Sequence, residues 1–308
     1  MAGIYIHIPF CTKKCYYCDF YSIASLKYKD EVVNSLIKEL EWQKNYLNGD
    51  QIETIYFGGG TPSLLSDMEI NRIVDKILHI YPVAVLPEIT LEANPEDITQ
   101  DYLQKLAMTP VNRLSIGIQS FLDDELKRLN RRHNAMQAIE AVMKSQDNGF
   151  SNISIDLIYG IPDSDEINWL VSLGMAFTLN IRHISAYHLT IEPQTVFHRF
   201  WEQGKIKPID EDVSFKMYQM LINQTRNEGF EQYEISNFCK TDFESIHNAN
   251  YWRQQKYLGI GPSSHSYNLT SRQWNVANVK QYINQIENGN IPSTTENLDI
   301  SERYNEFL

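Results

Sequence analysis

The chain has 308 residues, 43% hydrophobic and 21% charged, enough for one large α/β domain or two smaller ones and too apolar for a disordered chain. A formal net charge of −12 would repel a phosphate backbone, which argues against nucleic acid as a partner and fits a soluble cytoplasmic protein. The longest apolar stretches, such as Val83–Leu86, are far too short to cross a bilayer, and no basic n-region precedes Ile4–Ile8, so neither a membrane span nor a signal peptide is expected.

In chain order, β-rich runs fall at Ile4–Ile8, Thr54–Phe57, Glu88–Glu92, Arg113–Ile118, Asn152–Ile158 and Arg182–Leu189. Helical periods lie between them, at Lys29–Tyr46, Asp67–Ile80, Thr99–Ala107, Asp123–Leu129 with Ala135–Asp147, and Glu166–Leu179. This alternation predicts an α/β fold with a parallel sheet of right-handed βα units. An open or partial (β/α)6 TIM-like barrel is expected over residues 1–192, with a doubly wound sheet as the competing architecture. In both, loops at the C-terminal strand ends carry the chemistry. The distinctive residues fall there: Cys11–Cys18 after the first strand, Gly58–Pro62 after the second, Glu92–Pro95 at the third, Gln119 at the fourth and Asp156 late in the fifth.

Beyond Pro193 the pattern changes. Residues 193–308 are expected to form a mixed C-terminal extension, with helices at Asp212–Asn227 and near Val279–Asn288 and aromatic, turn-rich sequence up to Tyr267. Ser301–Leu308 opens with a helix N-cap signal and stops within about two turns, from which a further C-terminal region is expected. There is no internal repeat and no low-complexity tract.

Three of the four cysteines, Cys11, Cys15 and Cys18, stand within eight residues as C-x3-C-x2-C, with Cys239 far away. A secreted disulfide framework would spread its cysteines, so the cluster points to metal or redox chemistry. Three thiolates at these spacings can hold three corners of a [4Fe–4S] cubane and leave one iron without a protein ligand. Structural zinc and plain thiols are the alternatives, although zinc normally takes four closed ligands and His7 lies on the other side of its strand. Lys13 and Lys14 would stabilise a negatively charged thiolate cluster. Gly58-Gly59-Gly60-Thr61-Pro62 lets the backbone approach a ligand closely, and no Lys-Ser or Lys-Thr follows to make it a Walker A loop. Its plain alternative is a tight strand-to-helix turn.

These motifs together resemble the radical SAM superfamily, and within it the branch of oxygen-independent coproporphyrinogen dehydrogenase and the HemW-type heme chaperones. The match is carried by Tyr5–Cys11, Cys15–Phe20, Gly58–Pro62, Glu92-Ala93-Asn94-Pro95, Gly117–Phe121 and Asp156–Pro162, in that order. The resemblance implies that the open iron chelates S-adenosylmethionine (SAM), which one electron cleaves to methionine and a 5′-deoxyadenosyl radical. It also implies contacts to the SAM methionine end from Gly59, Gly60 and Thr61, to the ribose from Glu92, and to the adenosyl group from Tyr5 and Tyr17. Gln119, Arg131 and Asp156 would stand round the SAM cavity. The plain alternatives are that Asp156 caps a turn and that Arg131, beside Arg132, is a solvated helix end.

Two features separate the chain from the dehydrogenase: Phe20 stands where that enzyme has an additional cysteine, and the first strand begins without a long N-terminal arm. A third, His247-Asn248-Ala249-Asn250-Tyr251-Trp252, matches an H-N-x-x-Y-W motif of the heme chaperones and makes His247 the candidate heme ligand. The alternative is a satisfied core histidine, and Cys239 and His265 are weaker ligand candidates. The expected function is heme binding and transfer. The implied partners are a heme-accepting protein, including a peripheral contact with membrane-bound acceptors, and an electron donor such as a flavodoxin or ferredoxin. The rivals are oxidative decarboxylation of coproporphyrinogen III to protoporphyrinogen IX, radical SAM chemistry on another substrate, and a structural metal protein.

Overall fold

The structure is a computed structural model that describes residues 1–307. Six parallel strands form the heart of one sheet: β1 (Ala2–Ile8), β2 (Ile52–Gly59), β3 (Val83–Ala93), β4 (Arg113–Gln119), β5 (Ile153–Tyr159) and β6 (His183–His188). Between them run α1 (Lys29–Trp42), α2 (Asp67–Ile80), α3 (Gln100–Leu106), α4 (Asp123–Arg128), α5 (Ala135–Asp147) and α6 (Glu166–Thr178). The order β1-β2-β3-β4-β5-β6 follows the sequence and the sheet does not close, so this is the partial barrel expected from the alternation.

Local signals set the helix starts. Ser66 and Glu69 form a reciprocal capping box on α2, Asn134 and Gln137 another on α5, and the Asp165 side chain caps α6. The Lys29–Glu69 ion pair, at 2.8 Å, ties α1 to α2.

Side-chain alternation divides each strand between two environments. Ile4, Ile6, Phe57, Leu91, Leu114, Ile116, Ile155 and Leu157 are buried in the main hydrophobic core with the helices. Each such side chain taken from water contributes about 1.5–3 kcal/mol. The alternate positions belong to the barrel interior and are mostly polar: Tyr5 and His7 on β1, Thr54 and Tyr56 on β2, Thr90 and Glu92 on β3, Arg113 and Ser115 on β4, Ser154 and Asp156 on β5, His183 and Ser185 on β6. A closed (β/α)8 barrel usually packs its centre with Val, Ile and Leu. This interior is built for polar groups instead.

The C-terminal part extends the same sheet at both ends. After α7 (Val196–Glu202) and α8 (Glu211–Asn227), the short strands β7 (Glu231–Gln232) and β8 (Asn237–Cys239) continue antiparallel beyond β6. The segment read as aromatic and turn-rich folds into α9 (Ile246–Trp252) and β9 (Lys256–Ile260), and β9 pairs parallel to β1. The strands β10 (His265–Tyr267), β11 (Ser271–Asn275) and β12 (Ser293–Asn297) complete that flank antiparallel, with α10 (Val279–Glu287) between the last two and α11 (Ile300–Phe307) after them. These strands are two to five residues long, below the length at which alternation is visible in sequence. Among the described residues no helix is long and apolar enough to cross a membrane.

Candidate functional site

A cavity of about 460 Å³ opens at the C-terminal ends of the strands, and the Cys loop, the Gly loop and the ends of β3 to β6 all reach it. The Cys loop is fixed at several points. Cys11 N–H donates to Ile23 O at 3.0 Å and Ile23 N–H to Pro9 O at 2.8 Å, while the fully buried Phe10 anchors its entry. Further along, Tyr16 N–H donates to Leu129 O and Asn130 Nδ2 to Lys14 O. The Tyr16 ring packs against Phe197 and Phe200.

Cys11, Cys15 and Cys18 are free, half-buried and all on the cavity wall. Thr61 Oγ1 donates to Cys11 Sγ at 3.4 Å and Arg131 Nη1 to Cys15 Sγ at 3.5 Å, the arrangement that stabilises thiolate. Burial, with smaller contributions from Cys15 and Cys11, pushes the Cys18 thiol up to about 11, so occupation by metal must expel its proton. Among the described residues no three His, Cys, Asp or Glu side chains converge on a point suited to one ion. The thiols instead border an open volume, with donors aimed at two sulfurs. That donor set fits a cluster held at three corners.

Beside the thiols stands a wall of carboxylates. Glu92 Oε1 accepts from Tyr56 Oη at 2.9 Å and Oε2 from Gly59 N–H at 3.2 Å. Burial first, and then the neighbouring Asp156, raise Glu92 to about 7. Asp156 accepts from Ser115 Oγ at 3.1 Å and is itself raised to about 6 by burial. Two adjacent buried carboxylates suit a ligand that offers hydroxyl donors and positive charge.

Arg131 closes the third side. Nη2 donates to Asn94 Oδ1 at 2.7 Å and to Gly117 O at 2.6 Å, and Nε is buried without a partner among the described residues. Burial opposes its charge, but Tyr17, Cys15 and Glu96 hold the guanidinium firmly protonated. It is therefore part of the cavity rather than a solvated helix end. Gln119 also lines the cavity, from a left-handed backbone (φ 71°) at a bulge between β4 and β5. Strain of that kind, about 1 kcal/mol or more, persists where the surroundings hold it in place.

The Gly loop is tight for a visible reason. A Cβ on Gly60 would lie 2.6 Å from Phe10 O and 2.9 Å from Ile8 O, both backbone atoms at the base of the Cys loop. Gly60→Ala is therefore expected to displace the base of the Cys loop and weaken ligand binding in the cavity at least tenfold, with SAM as the probe in equilibrium dialysis. Gly174→Ala, on α6 with open space around it, should bind normally and gain about 0.5–1 kcal/mol of stability.

The cavity wall thus brings together Tyr17, Gly59, Gly60, Thr61, Glu92, Gln119, Arg131 and Asp156. Two expected site residues lie elsewhere. Tyr5 lies outside the wall, stacked on Tyr56 at 6.0 Å with its hydroxyl hydrogen-bonded to His7 Nδ1. His247 is buried in the barrel floor, stacked on Tyr56 at 4.9 Å, with Nδ1 hydrogen-bonded to Thr54 Oγ1 (2.7 Å) and Nε2 to Tyr251 Oη (3.0 Å). Burial and the nearby Arg113 lower His247 to about 3, so it is neutral with both ring nitrogens engaged. Cys239 lies on β8, in a separate hollow at the opposite end of the barrel, and His265 on the exposed flank. His7 is hydrogen-bonded to Tyr21 O and packs against Gly59.

Tyr56, Ser115, Ser185 and Tyr187 line the cavity without having stood out in the sequence. A signal for them existed: each is a polar or aromatic residue one alternation away from another interior position on an otherwise apolar strand.

The family model described as "Radical SAM superfamily" matches residues 5–171. The Bacillus subtilis protein named heme chaperone HemW is 37% identical over 295 residues, covering 95% of this chain and 78% of that protein. The Escherichia coli heme chaperone HemW is 39% identical over 268 residues, covering 85% and 69%. Among solved structures, coproporphyrinogen III oxidase (HemN) from Escherichia coli, described as a radical SAM enzyme, superposes with a TM-score of 0.85 over 99% of this chain and 74% of its own. At 24% identity that match speaks for the fold alone.

Proposed function

The chain belongs to the radical SAM superfamily and, within it, to the HemW heme chaperones, and on that footing we propose that it binds heme and delivers it to an acceptor protein. Its resident groups are a [4Fe–4S] cluster on Cys11, Cys15 and Cys18 and a SAM molecule beside it. The observation that carries this reading is that three free thiols, an unpaired Arg131 Nε and the Glu92–Asp156 pair share one cavity. When bound and reduced, the cluster supplies the electron that splits SAM.

The chain's own residues do the rest. Thr61 and Arg131 hold negative charge on the sulfurs, the Gly59–Gly60 backbone meets the SAM methionine end, and Glu92 and Asp156 accept its hydroxyls. Residues 1–192 make this chamber, and the described residues beyond them, 193–307, flank it and close its floor. The acceptor is a heme protein, and an electron carrier of the flavodoxin or ferredoxin type serves the cluster. Phe20, two-thirds exposed at the cavity mouth, gives no fourth thiol for dehydrogenase chemistry.

Heme titration and coproporphyrinogen turnover on the reconstituted protein test the proposal together. A stoichiometric Soret change without vinyl formation is the expected result, and repeated coproporphyrinogen turnover would replace the chaperone reading with the dehydrogenase. His247 remains the axial-ligand candidate, and to reach an iron its ring must release Thr54 or Tyr251. A Soret change that survives in His247→Ala removes it.

A further inference from the structure

Arg113 is the largest fully buried side chain, 1% exposed, inside the barrel. Its Nε, Nη1 and Nη2 have no hydrogen-bond partner among the described residues. The nearest carboxylate, Glu88, lies 3.9 Å away, and its oxygens already accept Ile246 N–H and His247 N–H at the start of α9. The two histidines of this layer bring no charge: His183 and His247 are both held neutral, by burial first and then by Arg113 itself. A guanidinium stays protonated under all these conditions.

The strand register fixes what lies above. Arg113 pairs with Thr90, and two residues on Ser115 pairs with Glu92, while Gly117 pairs with Asp156. The Arg113 backbone thus sits one layer below Glu92, about 6.6 Å down the strands, and two layers below Asp156. We infer that Arg113 is a positioning residue for SAM: a sealed cation beneath Glu92 and Asp156 that favours the charged form of both carboxylates, the form that receives the ligand. The inference rests on the SAM site proposed above and adds to it a residue that touches neither cluster nor ligand.

Of the other groups facing the pair only Arg131 adds to this charge, at Asp156 and less than Arg113 does. Tyr5 on β1, Tyr56 on β2, Tyr187 on β6 and Tyr251 on α9 are phenols driven further towards neutrality by burial. Arg131 is the remaining cation, and its Nη atoms are committed to Cys15, Asn94 and Gly117. Burial raises both carboxylates and Asp156 raises Glu92 further, and Arg113 acts against this in both.

SAM binds the ionised pair, so affinity rises with pH through the carboxyl pKa values of about 6 and 7; it falls by up to about tenfold per unit between them and about a hundredfold per unit well below both. Removing the cation raises those values and moves the limb to higher pH. SAM affinity of the cluster-loaded protein, measured from pH 6 to 9, tests this in wild type, Arg113→Gln and Arg113→Lys. In Arg113→Gln the midpoint should move up about one unit, with about tenfold weaker binding at pH 7 and recovery by pH 9. Arg113→Lys should restore the wild-type midpoint. Glu88→Gln, which neutralises the nearest acid, should move it down and serves if Arg113→Gln does not fold. An unmoved midpoint in Arg113→Gln and Glu88→Gln, or an equal loss at every pH, overturns the inference alone. A wild-type protein that binds no SAM overturns both this and the site proposed above.

Discussion

Cys15→Ala, reconstituted anaerobically with iron and sulfide, is expected to hold no stable four-iron cluster and to release no 5′-deoxyadenosine from SAM under dithionite. Wild type should hold about four irons and four sulfides per chain. The loss should be nearly complete because the site has only three thiols, and Cys15 is the one that Arg131 Nη1 addresses. With the sulfur gone, that buried donor loses its acceptor, a further cost of about 1–3 kcal/mol. Cys239→Ala is the matched control: its thiol lies at the other end of the barrel, so iron, sulfide and product should be unchanged. Zinc at one equivalent in wild type, with no labile sulfide, would sink the cluster assignment.

The second large effect is on stability and lies at Glu39, a fully buried carboxylate on α1. Its oxygens accept from Tyr282 Oη (2.6 Å), Asn275 Nδ2 (2.6 Å) and Gly261 N–H (2.9 Å), joining α1 to α10, β11 and the turn after β9. Glu39→Ala leaves Tyr282 Oη and Gly261 N–H buried without acceptors, while Asn275 Nδ2 keeps Gly261 O and Ser264 Oγ, and should cost about 3–5 kcal/mol, read as a fall in the urea midpoint. Burial raises this carboxyl to about 7 despite the donors. The folded state therefore keeps its proton between about pH 4.5 and 7 while the unfolded chain releases it. Stability from this group is full below pH 4.5 and declines as pH rises to 7, by on the order of 3 kcal/mol. Glu39→Gln should flatten that slope, and an unchanged pH dependence would show that the carboxyl titrates normally.

The six barrel strands and most of the helices were legible because their apolar residues recur with clear periods over six or more positions. Asp67–Ile80 and Ala135–Asp147 begin and end where their caps and periodicity place them. The cavity rim was legible too, since its motifs are dense in Gly, Cys and acid at the ends of strands. The floor was not. His247 carries a recognisable motif, yet its partner Thr54 is 193 residues away, and no local pattern reveals that α9 tucks its ring beneath Tyr56. The resemblance implies a ligand contact for Tyr5, whereas its place behind Tyr56 depends on how far the neighbouring side chain reaches. Nor does the apolar run at Val83–Leu86 behave as its composition implies. A register shift between β2 and β3 throws Val85 and Leu86 outward, 95% and 91% exposed.

The pairing of β1 with β9 sets a clock on synthesis. Ala2 aligns with Lys256, so one edge of the first strand waits for a partner made some 254 residues later. At about 5–20 residues per second, that edge stays open for roughly 13–50 s on the ribosome. The Cys loop and β2 are complete long before then, whereas His247, which seals the floor, arrives among the last. For most of its birth the chamber is a trough open from below as well as at the strand ends.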